Sequence, residues 1–256
     1  SIKAVNDSYS ITAKGDVDTE KINIGNQSLL EGKSFIVTTV LNYDDSEKLL
    51  TIQSADLQLG TSLFAVKGTY YWKENSTINL ITEGENTDIQ TLLSLLPETI
   101  AGSFSQYKSR GDVYFRAIMQ GEISEKKSPA FSASFGFSKA TLFHPQYKSK
   151  IEEASMEGSF ATSSLRDPAK AVLSLKNIQG KLNNNPFQAN LIVRNFNDPD
   201  VILDFKGDVD SEALTNFYPM ENLRQVNGVL AADIAFEGKL SWLKNKTTAQ
   251  RVSTRG

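Results

Sequence analysis

The sequence predicts a mainly β protein: a long, repetitive, mostly antiparallel sheet with short capping helices. Three observations carry that prediction. Apolar and polar residues alternate strictly along many stretches, a block of such stretches occurs twice at matched spacing, and each block holds one short segment of helical periodicity closed by proline.

The alternation is clearest at Phe131-Ser132-Ala133-Ser134-Phe135-Gly136-Phe137-Ser138. As a strand, this places Phe131, Ala133, Phe135 and Phe137 on one face and the serines on the other. A helix would scatter the same aromatics around its circumference.

The block repeat is read by overlaying Phe64 on Phe187. A glycine follows each 20 residues later (Gly84, Gly207), and Ile78 and Leu80 match Val201 and Leu203. Each glycine leads to an aspartate (Asp88, Asp210) and then a proline nine residues further on (Pro97, Pro219). Beyond a variable loop, Gly111 and Gly121 correspond to Gly228 and Gly238. Between them, Val113, Phe115, Ala117 and Met119 match Leu230, Ala232, Ile234 and Phe236. A partial third copy opens the chain, because Lys14-Gly15-Asp16-Val17-Asp18 repeats Lys206-Gly207-Asp208-Val209-Asp210 letter for letter; it leads through Ile22 and Ile24 to Gly32 and a strand over Ser34–Leu41.

The expected organisation is one repetitive domain over 1–256, an internal piece of something longer. It has a partial module at 1–54, a full module at 55–123, an inserted strand pair and linker at 124–176, a second full module at 177–240, and a tail at 241–256. Each module reads as strand, strand, short helix, strand. For the helix, Asp88 and Asp210 are suitable N-caps. Ile89, Leu92, Leu93 and Leu96 fall at helical spacing in one copy, Ala213, Leu214, Phe217 and Tyr218 in the other, and the proline stops continuation. At under three turns it must pack on the sheet to be stable.

Composition narrows the function. The chain has 256 residues, is 39% hydrophobic and carries a net charge of -3, which gives no general electrostatic reason to bind nucleic acid. No apolar run approaches the roughly 18 residues of a spanning helix, so this piece is expected to be soluble, and Ser1 opens on strand-like sequence rather than on a signal peptide. With no cysteine, disulfides, thiolate nucleophiles and Cys-based metal sites are excluded.

Residues that could carry chemistry read as structural. His144 is the only histidine, and before Pro145 it reads as a turn after a strand. The pairs Asp16/Asp18 and Asp208/Asp210 read as strand-to-helix junctions, one carboxylate capping and the other favouring the helix N-terminus, rather than as calcium ligands or an acid/base pair. Asn197-Asp198-Pro199-Asp200 reads as a turn. Tyr70-Tyr71-Trp72 reads as a strand-edge core cluster, with contact to a partner or membrane surface as the rival. Lys126, Lys127, Lys148 and Lys150 read as loop charges. No cofactor, metal or catalytic residue is assigned, and the expectation is a protein that is not an enzyme.

The pattern KGDVDSEALTNFYP…VNGVLAADIAFEGKL at Lys206–Leu240 resembles the C-terminal repeat region of the AsmA family, envelope proteins of Gram-negative bacteria related to TamB-type proteins. The resemblance runs through nearly the whole chain and is strongest over 177–240. It rests on glycines, apolar alternation and a capped helix. It implies a U-shaped, groove-forming sheet in the periplasm, with the parent protein anchored in the inner membrane by a segment outside this chain. It also implies a part in moving phospholipid to the outer membrane and in outer-membrane biogenesis.

On that reading Phe64, Val66, Phe115, Ala117, Phe131, Phe135, Leu191, Val193, Leu203, Ile234 and Phe236 are the candidate lining for phospholipid acyl chains. Two rivals stay open. One is a scaffold module for outer-membrane protein assembly, its core filled by its own side chains, with envelope proteins as partners. The other is a hydrolase, such as a glycosidase, using paired acids.

Overall fold

The computed structural model describes the chain except residues 21, 25–26, 30–31, 74, 95–107, 145–148, 211–227 and 245. It is mainly β. Fourteen strands form one antiparallel sheet, and two more form a separate hairpin. The strands are β1 (Ile2–Val5), β2 (Ser8–Thr19), β3 (Ile22–Ile24), β4 (Gln27–Leu29), β5 (Lys33–Asp44), β6 (Leu49–Leu59), β7 (Ser62–Tyr71), β8 (Ser76–Asp88), β9 (Lys108–Ile123), β10 (Ala130–His144), β11 (Ser149–Thr162), β12 (Val172–Leu182), β13 (Asn185–Arg194), β14 (Asp200–Asp210), β15 (Val229–Lys239) and β16 (Ser253–Arg255). Apart from the β3–β4 hairpin, each strand lies beside its neighbours in the chain, so the sheet is a continuous meander that begins at β1 and ends at β16.

By compactness the chain divides into two units. One comprises Ser1–Ser105, Asp112–Phe135 and Ala161–Asp167; the other comprises Gln106–Gly111, Gly136–Phe160 and Pro168–Gly256.

The repeat is a repeat of register as well as of letters. Strand β6 corresponds to β12, β7 to β13, β8 to β14 and β9 to β15. In the first set Phe64 pairs with Gly84, and Gly84 with Phe115; in the second Phe187 pairs with Gly207, and Gly207 with Ala232. Leu80 opposite Met119 matches Leu203 opposite Phe236, and Ile78 opposite Gly121 matches Val201 opposite Gly238. The bulges coincide too: β6 slips between Ile52 and Ala55, and β12 between Leu175 and Ile178. The repeated block therefore starts earlier than the spacing of glycines indicates, at Leu49 and Val172. Its first hairpin uses two solutions to one demand. Gly60 supplies positive φ in one copy, and Asn183 and Asn184 supply it in the other, as turns matched to strand twist require.

The helix expected after β8 is present as α1 (Ile89–Ser94), which starts directly after Asp88 and buries Ile89. Leu96, Pro97 and the whole second helix from Ala213 to Tyr218 lie outside the described residues.

The first copy corrects the expected pattern. Asp16 and Asp18 are not at a strand-to-helix junction but inside β2, opposite Ile36 and Ser34. The Asp18 carboxylate accepts a hydrogen bond from Ser34 Oγ at 2.5 Å. The β3–β4 hairpin stands where the helix was expected. The local reason is alternation: Ile22 and Ile24 are two apart, and Gly25-Asn26 is a hairpin dipeptide, whereas a helix needs apolar residues three and four apart. Asp208 and Asp210 close β14, opposite Ala231 and Val229, and the helix expected after them lies outside the described residues.

The shared glycine has a different neighbourhood in each copy. A Cβ on Gly207 would lie 2.7 Å from Phe187 Cα and 2.8 Å from the Pro186 carbonyl oxygen, whereas one on Gly15 would meet nothing within 4 Å. Strand β1 pairs with Ser8–Ile11 of β2, away from Gly15, whose partner on β5 is Val37. Gly207→Ala is therefore expected to destabilise the chain by about 1–3 kcal/mol. Gly15→Ala, in the identical five-residue motif, should be neutral or stabilise by up to about 1 kcal/mol. Denaturant midpoints of the two variants test this, and equal losses would contradict it.

Candidate functional site

Residues directly opposite one another on antiparallel strands share a face, so the register maps the faces. In the first unit, one row runs Gly15, Val37, Leu57, Phe64, Gly84, Phe115 across β2, β5, β6, β7, β8 and β9. The next row on that face is Ala13, Thr39, Ala55, Val66, Thr82, Ala117, and the next is Ile11, Leu41, Ile52, Gly68, Leu80, Met119. A fourth row is Tyr9, Tyr43, Leu50, Tyr70, Ile78, Gly121. The rows between belong to the other face and are mixed: one is largely polar (Lys14, Thr38, Asp56, Ala65, Glu83, Arg116) and ends in an Arg116–Glu83 ion pair, while another holds Thr12, Val40 and Ser54 and the opposed pair Ile81 and Ile118.

The second unit shows the same division. Its apolar rows are Gly180, Phe187, Gly207, Ala232; then Ile178, Ala189, Phe205, Ile234; then Leu175, Leu191, Leu203, Phe236; then Leu173, Val193, Val201, Gly238. The opposite face carries Gln179, Gln188, Lys206 and Asp233 in one row.

Bulges hold these faces together. Ile52 and Ala55, Gly84 and Thr87, and Leu175 and Ile178 are three residues apart, which strict alternation would send to opposite faces. Each bulge takes up one residue, so both members stay on the apolar side.

Among the described residues these faces are only partly covered, Phe64 at 4% and Val201 at 9% exposure being among the buried members. Among the described residues the largest side chains buried to below 2% exposure are Thr87 and Ser62. Phe115, Leu191, Leu203, Phe205 and Phe236 are only half-buried, and Ile234 is 44% exposed. Two sheets packed face to face would interdigitate such side chains and bury them outright.

The eleven candidate lining residues fall as follows. Phe64, Val66, Phe115 and Ala117 are in two adjacent rows of the first unit, with the Phe64 and Phe115 rings 5.8 Å apart on either side of Gly84. Leu191, Val193, Leu203, Ile234 and Phe236 are in three rows of the second unit, Leu191 opposite Leu203 and Leu203 opposite Phe236. Phe131 and Phe135 are half-buried on β10 with Ala133, while Ser132 and Ser134 are exposed.

Sequence reasoning missed Val37, Leu41, Leu50 and Ile52, whose rows become visible only once register is known. At the aromatic end of the first unit's face it read the cluster of Tyr70 and Trp72 but missed Tyr9 and Tyr43. Tyr9 stacks on Tyr43 at 6.1 Å, Tyr43 on Trp72 at 5.2 Å, and Tyr70 lies 5.5 Å from Trp72. Residues 34 and 29 apart in sequence meet there, so no local pattern announces them. Beside the stack, Asp45 Oδ1 accepts hydrogen bonds from Tyr43 Oη at 2.5 Å and Lys48 Nζ at 2.6 Å. The Lys48 ammonium and then the Tyr43 hydroxyl hold the Asp45 carboxyl below the ordinary carboxylate value. Asp45 in turn raises the Tyr43 phenol.

His144 ends β10. Among the described residues no three His, Asp or Glu side chains converge as metal ligands would, and no helix is long and apolar enough to cross a membrane.

Comparison with protein families, with curated proteins and with solved structures finds no match to this chain. What the fold and its faces define is a class: an antiparallel β-repeat protein whose sheet gathers its aromatic and most of its aliphatic side chains on one side.

The aromatic end yields a pH prediction. A carboxyl whose native pKa lies below its unfolded value stabilises the fold above the unfolded value, and that contribution is lost as pH falls through the native one. Asp45→Asn should therefore lower Tm at neutral pH, and the gap to the unaltered chain should close on acidification below about pH 3.8, the ordinary value. A gap that stays constant with pH would show that the ionised carboxylate is not responsible.

Proposed function

We propose that this chain is a non-enzymatic segment of an AsmA-like cell-envelope protein, and that its apolar face lines a curved, U-shaped groove for phospholipid acyl chains travelling through the periplasm between inner and outer membranes. The observation that carries the reading is the set of mainly apolar rows in which Phe115, Leu191, Leu203, Phe205 and Phe236 stay half-buried and Ile234 is 44% exposed. A face of this kind retains hydrophobic surface that a ligand can cover.

The energetics suit such a cargo. An acyl chain of about 16 methylenes crossing water bare would cost roughly 13 kcal/mol, at about 0.8 kcal/mol per CH₂. A row of Leu, Val and Phe side chains removes most of that cost without residue-specific chemistry, and each added strand lengthens the trough by about 4.8 Å. The two copies exchange bulk in keeping with this. Phe115 and Thr82 in one copy are Ala232 and Phe205 in the other, so apolar volume is kept while identity drifts. On this reading the parent protein is held in the inner membrane, and headgroups stay in water at the groove's rim.

Purifying the chain from cells, extracting it with organic solvent and analysing the extract by mass spectrometry tests the proposal. Phospholipid should co-purify. Leu191→Asp and Phe236→Asp, both half-buried, should reduce recovery several-fold while the circular dichroism of the sheet persists. A lipid-free chain that simply unfolds on either substitution would favour the scaffold reading instead.

A further inference from the structure

The two copies differ at one end of the apolar face. In the first, Tyr70 and Trp72 stand at the end of β7, and with Tyr9 and Tyr43 they form one ring stack. The equivalent positions in the second copy hold Val193 and Asn195. Strand pairing is unchanged there, since Tyr70 lies opposite Ile78 and Val193 opposite Val201. The module thus pairs its strands without the rings, and their presence in one copy calls for another reason.

Tyrosine and tryptophan carry an apolar body and a polar tip, and settle where hydrocarbon meets water. Ion pairs hold this end on the aqueous side, Lys48 with Asp45 at 2.6 Å and Lys73 with Glu47 at 3.2 Å, because charges enter hydrocarbon only at high cost. The opposite end of the same face is covered by the chain itself. Phe64, Val113 and Ile89 are 4%, 3% and 6% exposed there. Thr87 beside them is fully buried, its hydroxyl without a hydrogen-bond partner, which marks a place closed to water. From Tyr70 to Phe64 the face runs six residues, roughly 20 Å at about 3.3 Å per residue. One leaflet of a bilayer offers its acyl chains about 15 Å of hydrocarbon depth, so a chain fits between the two ends.

Resting on the lipid-groove reading, we propose that the first unit orients its phospholipid: the headgroup lies at the ring stack of Tyr9, Tyr43, Tyr70 and Trp72, and the acyl chains point along the strands towards Phe64. Movement along the trough carries the lipid sideways in that pose, from strand to strand. The direction belongs to the first unit, because the second has no such rings at the equivalent positions.

The chain has two tryptophans, so Trp242→Phe leaves Trp72 as the single tryptophan reporter. This variant is loaded with phosphatidylcholine carrying a nitroxide either on the headgroup or near the methyl end of one acyl chain, and bound lipid is counted by phosphorus assay after gel filtration. The headgroup label should quench Trp72 fluorescence several-fold more than the tail label. In a Trp72→Phe/Trp242→Phe/Phe115→Trp variant the reporter moves to the row of Phe64 and Gly84, and the order should reverse. Bound lipid whose labels quench Trp72 equally, or not at all, or with the tail label stronger, overturns the orientation and leaves the groove reading standing. No bound lipid with either label overturns both. The Trp72 measurement decides the question even if the triple variant does not fold.

Discussion

Cross-strand register is the constraint on which the rest of this molecule depends. In an antiparallel meander, an apolar side chain is covered first by the neighbours opposite and diagonal to it on the same face. Fully burying a leucine or phenylalanine contributes roughly 1.5–3 kcal/mol. Half-burial realises only part of that, and the remainder stays available to whatever covers the face. Slipping one strand by a single residue would turn its apolar set to the polar side. The two copies accordingly agree in register, Leu57 opposite Phe64 matching Gly180 opposite Phe187 and Leu59 opposite Ser62 matching Leu182 opposite Asn185, through bulge, hairpin and glycine pair, while individual side chains change.

The glycine–aromatic pairs show how that agreement is kept. Phe64 opposite Gly84 and Phe187 opposite Gly207 put a large ring beside a residue with no side chain of its own. In the first copy the Phe115 ring leans over Gly84 from the far side; in the second the Phe205 ring stacks on Phe187 at 6.2 Å. A Cβ at either glycine would strike these neighbours. The glycine is therefore a steric key for the row, and its spacing from phenylalanine was the strongest repeat signal because register requires it.

Much of this architecture was legible before any coordinates. Alternation in Phe131–Ser138 and the 20-residue Phe-to-Gly spacing led to strands, to their antiparallel order and to two matched blocks. Period-2 reasoning fails at bulges, since Ile52/Ala55 and Leu175/Ile178 break parity in sequence and keep it in space. This is why the blocks were read as starting several residues late. The caps proposed at Asp16 and Asp18 failed for a different reason. An identical five-residue motif was given an identical sequel, although the residues after it, Ile22 and Ile24, alternate. The stack of Tyr9 and Tyr43 on Trp72 joins β2, β5 and the residue after β7, and only its Tyr70-Tyr71-Trp72 part has a local signature. Among the candidate lining residues, Ile234 shows what alternation alone cannot supply: facing is read from parity, but exposure depends on which strand lies alongside.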